Sequence, residues 1–273
     1  MTMGRLDTKV CLITNGVEPL AHATVRRFAR DGATVVVTDA DAEAGHRVVN
    51  ELVEGGGRGL FVHTEAGDKA AFARAVESAF STYGRLDALV TGALRYTAHA
   101  RLQDKTDAMF DSTMKAVFYP VAWAMQAALP VMRELGGGRI VNYCAPVGPL
   151  MSRNTADFNA ASTAIIGLTN TAAAEWARHR VLCNVIALPV DVALANRGPS
   201  EGWRVEASSA RTSIAPADLE NDIAPVALFL VSEDNTYVTG STITVDGGAG
   251  LATSPQSNVL SAEVSATQLA PKK

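Results

Sequence analysis

Cysteine is scarce in this chain: Cys11, Cys144 and Cys183 are its three, far apart and without Cys-x-x-Cys spacing. That excludes a disulfide framework and a thiolate zinc site, and buried free thiols are the plain expectation. Long apolar runs are missing as well. No stretch approaches the roughly 18 residues of a membrane-spanning helix, and the opening MTMGRLDTKVCLIT has too short an apolar run, with an acid before it, for a secretory signal. A cytoplasmic protein without membrane association is expected. Runs of Lys or Arg are absent and the net charge is -4, so there is no basic field for nucleic acid. No His and carboxylate pair stands at a convincing ligand spacing, and no metal is expected.

What is present is apolar material in short pieces. Hydrophobic residues make up 48% of 273, ample for one large core. Val- and Ile-rich runs recur at Val10–Thr14, Thr34–Thr38, Leu60–His63, Ala88–Val90, Ile140–Tyr143, Leu182–Ala187 and Thr242–Val245. Helical spacing fills the gaps at His22–Arg30, Ala42–Glu54, Lys69–Tyr83, Phe110–Glu134, Phe158–Arg178 and Asp222–Leu230. Strands without polar alternation, separated by helices, predict an α/β fold: a three-layer, doubly wound parallel sheet. It is expected to be a single domain over residues 1–250, followed by a mobile tail at 251–273. Phe110–Glu134 and Phe158–Arg178 are apolar around more of their circumference than one buried face needs, which predicts subunit contacts through residues 110–134 and 158–178.

In such sheets ligands bind where the strands end, and the first strand ends in ITNGVEPLAHA, a loop with one glycine, a proline and a carboxylate. Its surroundings say more than it does. The run KVCLITNGVEPLAHATVRRFARDGATVVVTDAD, the segments GRLDALVTGAL and GGGRIVNYCA, and the ending YVTGSTITVDGG together resemble the short-chain dehydrogenase/reductase family from about Arg5 to Gly250. The resemblance implies a Rossmann fold and a dinucleotide site. In register with the family loop Thr-Gly-x-x-x-Gly-x-Gly, Thr14 is kept, while Asn15, Pro19 and Ala21 take the three glycine positions. Those glycines serve a tight turn, backbone approach to the pyrophosphate, and helix-to-strand packing. Pro19 has no N–H to donate to a phosphate, and Glu18 adds negative charge where an anion would lie. Asp39 ends the second strand where a family acid would hold the adenosine ribose, which favours NAD over NADP if a cofactor binds; helix capping by Asp39 or Asp41 is the alternative.

The family's catalytic set is Asn, Ser, Tyr and Lys, and the resemblance places Thr113, Ala145, Phe158 and Ser162 at those positions. None can perform its predecessor's proton transfer or polarisation, and one such loss costs about 10²–10⁴ in rate. Asn-Asn-Ala-Gly reads Thr91-Gly92-Ala93-Leu94, Pro-Gly reads Leu188-Pro189, and Glu65 stands near an adenine-contacting Asp position. Cys144, Asp157 and His22 are the candidates for a different chemistry, with Tyr143, Arg95, His99 and Arg153 nearby in the predicted topology. The leading expectation is thus a pseudoenzyme that binds no cofactor: a non-catalytic subunit on an active paralogue, in a homo- or hetero-oligomer. The alternatives are an enzyme with a changed, non-redox reaction in the old cleft, or a residual NAD-dependent oxidoreductase.

Overall fold

The computed structural model describes residues 4–92, 100–145, 154–188 and 217–248. Seven parallel strands form one sheet in the order β3-β2-β1-β4-β5-β6-β7: β1 Val10–Thr14, β2 Thr34–Asp39, β3 Arg58–His63, β4 Ala88–Gly92, β5 Gly138–Cys144, β6 Val181–Ala187 and β7 Thr242–Thr244. The central strands β1 and β4 are buried along their whole length, which explains their unbroken apolar sequences. Strand order reverses between β1 and β4, and the crevice above that point is where this topology places a ligand.

Helices cover both faces. On one side α1 (Pro19–Arg30), α2 (Ala42–Glu54) and α7 (Ala224–Val231) bury Leu20, Val25, Phe28, Val48, Leu52 and Leu228 against the sheet. On the other, α3 (Lys69–Tyr83), α4 (Asp107–Thr113), α5 (Tyr119–Glu134) and α6 (Ala156–Trp176) bury Phe72, Met125, Phe158 and Ile165. Capping sets several starts: Asp41 accepts the Ala44 N–H, Asp68 the Ala70 N–H and Thr106 the Met109 N–H. Three helices begin earlier than apolar spacing alone predicts: α4 at Asp107 instead of Phe110, through the Thr106 cap, α1 at Pro19 instead of His22, where proline presets φ, and α6 at Ala156 instead of Phe158.

The predicted helix Phe110–Glu134 is α4 and α5 joined by a widened turn, Met114–Phe118, and a second widened turn, Leu219–Ile223, leads into α7. Each lies just before a proline, Pro120 or Pro225, which brings no N–H to the helical ladder. Among the described residues no helix is long and apolar enough to cross a membrane. The tail expected at 251–273 lies outside the described residues.

Candidate functional site

The crevice floor is built by the ends of β1, β2 and β4. Asn15 stands in the left-handed region at φ +52° and its Nδ2 donates to the Gly92 carbonyl at 2.8 Å. Asn tolerates that conformation better than any residue but glycine, so the turn the first family glycine would make is made here by a side chain that also ties β1 to β4. The Gly92 N–H donates back to Thr14 Oγ1 at 3.1 Å. The Gly16 N–H bonds the Thr38 carbonyl at 3.0 Å, and a Cβ on Gly16 would lie 2.4 Å from Val37 Cγ1, so the loop is pressed onto β2 and needs glycine there.

Ala21 is fully buried, and a Cβ on Gly92 would approach its methyl at 3.4 Å and the Thr14 carbonyl at 3.2 Å. Close packing of helix on strand thus survives, with the small residue exchanged between partners. Pro19 opens α1 with a preset φ, and the Glu18 side chain does not cap the helix. The amides of Leu20 and Ala21, first-turn donors with no intrahelical acceptor, are what remains of the anion site. Asp39 is buried; its Oδ2 accepts the Val17 N–H and its Oδ1 the Asp41 N–H, both at 3.1 Å. Helix capping falls to Asp41, and Asp39 holds the loop against β2. Glu65 is exposed, 3.4 Å from His63 Nε2.

The four positions of the expected catalytic set are all buried: Thr113, Ala145, Phe158 and Ser162. Beside them lies a group that sequence reading missed. Lys105 Nζ is 2.7 Å from Asp157 Oδ1, with both side chains at most 1% exposed, and Thr113 Oγ1 donates to Asp157 Oδ2 at 2.7 Å. The pairing joins residues 52 apart, and the acid at the head of α6 was its one signal. Among the described residues Ser162 Oγ is buried with no hydrogen-bond partner. A buried hydroxyl left without a partner is what the polar group of a ligand would satisfy.

The other candidates are not brought together. Cys144 is buried in the core on the α3–α6 side, its Sγ donating to the Ala145 carbonyl at 3.1 Å, and burial pushes its thiol up to about 12. That is an inert thiol and not a nucleophile. His22 lies on α1, across the sheet, 3.6 Å from Glu51, and burial, with Arg26 beside it, lowers its pKa. Tyr143 faces α1 too, its hydroxyl 2.9 Å from Thr24 Oγ1, and burial pushes its pKa up. A Cys144, Asp157 and His22 constellation is therefore corrected: His22 stands on α1, on the opposite face of the sheet from Cys144 and from Asp157 at the head of α6, and alternation along β5 turns Tyr143 to the His22 side and Cys144 away from it. Leu188 is buried; Ala93, Leu94, Arg95, His99, Arg153 and Pro189 lie outside the described residues. Among the described residues no cluster of His, Cys, Asp or Glu could hold a metal.

The chain matches the family model for enoyl-(acyl carrier protein) reductase over residues 16–250. It is 30% identical over 248 residues to a 3-oxoacyl-(acyl carrier protein) reductase of Thermotoga maritima, covering 89% of this chain and 98% of the relative. It is 29% identical over 251 residues to a cyclopentanol dehydrogenase of Comamonas, covering 90% and 98%. Among solved structures, levodione reductase superposes with a TM-score of 0.81 at 25% identity, covering 90% of this chain and 99% of that one. A dehydrogenase/reductase from Sinorhizobium meliloti superposes at 0.78 with 27% identity, covering 89% and 96%.

These relatives overturn the expectation of a non-catalytic subunit attached to an active paralogue: over nearly their whole length they are named dehydrogenases and reductases. The expectation of no cofactor rested on the same reading of the loop and loses that support. The physical reason lies in the loop, where the missing glycine letters do not remove the glycine roles: Asn15 makes the turn and Ala21 keeps the packing.

Proposed function

We propose, from the premise that the chain belongs to the short-chain dehydrogenase/reductase family, that it is an NAD-dependent oxidoreductase interconverting a secondary alcohol and its ketone without the family's tyrosine and lysine. The observation that carries this reading is the cradle, whose turn at Asn15 and helix-to-strand contact at Ala21 and Gly92 persist without glycine letters. The Leu20 and Ala21 amides would receive the pyrophosphate, and the acid at Asp39 would face the adenosine ribose and disfavour the extra phosphate of NADP. The orphaned Ser162 hydroxyl would meet a polar group of the bound molecules. A bound nicotinamide supplies or accepts the hydride.

In this reading Thr113, Ala145, Phe158 and Ser162 stand at the Asn, Ser, Tyr and Lys positions, and the chain lacks both the family's phenol donor and the lysine that tunes it. The buried pair Lys105 and Asp157, steadied by Thr113, is the charged group nearest these positions, on the α4 and α6 side of the sheet. The named alcohol and ketone enzymes among the relatives support the substrate class. Self-association through α5 and α6 belongs to the same proposal, and gel filtration at a monomer mass would remove that part.

Calorimetric titration with NADH and NADPH is the test. NADH is expected to bind, and more tightly than NADPH. No binding of either at millimolar concentration would sink the proposal. A second reading, a changed non-redox reaction in the same crevice, is favoured by the buried Lys105–Asp157 pair in place of a phenol. It predicts no oxidation of NADH by any cyclic or linear ketone, whether or not NADH binds.

A further inference from the structure

At the other end of the sheet, where the strands begin, lies a basin of about 360 Å³. Its walls come from the starts of four strands: Lys9 before β1, Arg85 before β4, Arg139 in β5 and Arg180 before β6. Two carboxylates share the space, Asp87 and Glu233, and both are engaged. Asp87 takes two bonds from Arg85, at 2.8 and 2.6 Å, and one from the Val10 N–H at 2.9 Å. Glu233 takes the Lys9 ammonium at 2.5 Å.

Arg139 is placed differently. Its Nε donates to the Asn235 carbonyl at 3.1 Å and its Nη1 to the Gly138 carbonyl at 3.2 Å. Among the described residues neither Arg139 nor Arg180 has a carboxylate within ion-pair distance. Arg139 is half-buried; burial lowers its pKa, Glu233 opposes that fall and the like charge of Arg180 adds to it. The glycine turn keeps the two arginines close. Gly137 has φ +149° and a Cβ there would lie 2.9 Å from the Arg180 carbonyl, while the Gly138 N–H bonds that same carbonyl at 3.2 Å. Four cations face two carboxylates, so two positive charges are left without a carboxylate of their own in one concave space, where their fields add to attract an anion.

We infer that the basin binds the phosphate group of a small molecule, clamped between the Arg139 and Arg180 guanidinium groups. A phosphate monoester carries about two negative charges at neutral pH, which is the excess the basin holds. Guanidinium forks match its oxygens in geometry. The site is remote from the strand ends that carry the cradle, and it stands whether or not the chain oxidises or reduces anything.

The test is calorimetry on the full chain with inorganic phosphate, with succinate and with chloride at matched ionic strength. One saturable phosphate per chain is expected, with Arg180→Gln weakening it by about tenfold or more, the size of a lost charge-assisted contact. Arg139→Gln should do the same, but it also removes bonds to two carbonyls, so the exposed and uncoordinated Arg180 is the decisive position. Succinate binding as tightly as phosphate, a chloride response equal to that of phosphate, or unchanged affinity in Arg180→Gln would each overturn the inference.

Discussion

The two halves of the crevice differ in what their side chains can supply. In the cradle, residues differ from the family pattern while the physical jobs are done: Asn15 adopts the left-handed turn, and Ala21 keeps α1 against β4. At the positions where the resemblance expects proton transfer, Phe158 and Ala145 are buried side chains with no hydroxyl to offer. Backbone conformation can be satisfied by several side chains. A proton donor at a fixed point cannot.

The sharpest way to break this contrast is to restore the second half. The triple variant Ala145→Ser, Phe158→Tyr, Ser162→Lys is expected to raise ketone reduction by about 10²–10⁴, the worth of a positioned general acid. Steady-state NADH oxidation measures it, and an unchanged rate would show that these are not the positions. Next in size is the buried pair. Lys105→Met takes the Lys105 ammonium from the buried Asp157 carboxylate and should cost about 3–5 kcal/mol in urea unfolding. Adding Asp157→Asn should recover a large part of that loss; no recovery would mean the pair does not carry the effect.

The cradle half predicts smaller changes. Asn15→Ala should cost about 1–2 kcal/mol for an alanine forced into the left-handed region, and Asn15→Gly should cost less, both read from thermal unfolding. Equal losses would show that the Nδ2 bond to Gly92, and not the turn, is what matters. The smallest effect concerns acid. Burial lowers the His22 pKa below its ordinary 6.5, so the unfolded chain binds more protons there and stability falls as pH drops from about 6.5 through the folded value. His22→Gln should flatten that acid slope, and a slope identical to the parent would assign it elsewhere.

The layered α/β fold was legible because parallel strands buried on both faces have no alternation to hide, and Val10–Thr14, Ala42–Glu54 and Lys69–Tyr83 stand where apolar spacing puts them. Helix starts were less legible, since Thr106 and Pro19 set them by hydrogen bonding and fixed φ and not by hydrophobicity. The site was legible as a set of positions and illegible as a set of contacts. Nothing local in QDKTDAMF marks Lys105 as the partner of Asp157, and nothing local in NYCAP shows that Tyr143 and Cys144 look into opposite layers. The loop misled for a related reason: a letter was missing, and the conformation it stood for was not.

The double tie between Thr14, Asn15 and Gly92 spans the point where strand order reverses. Two short side chains therefore brace, at the base of the crevice, the spacing that the β1–β4 ladder sets, much as a rung stiffens two rails. Ligands of different girth cannot be accommodated by parting β1 from β4. Under the proposed function, discrimination among substrates falls to the residues that rise above those strand ends, and changing what the protein accepts is a matter of rebuilding walls on a braced foundation.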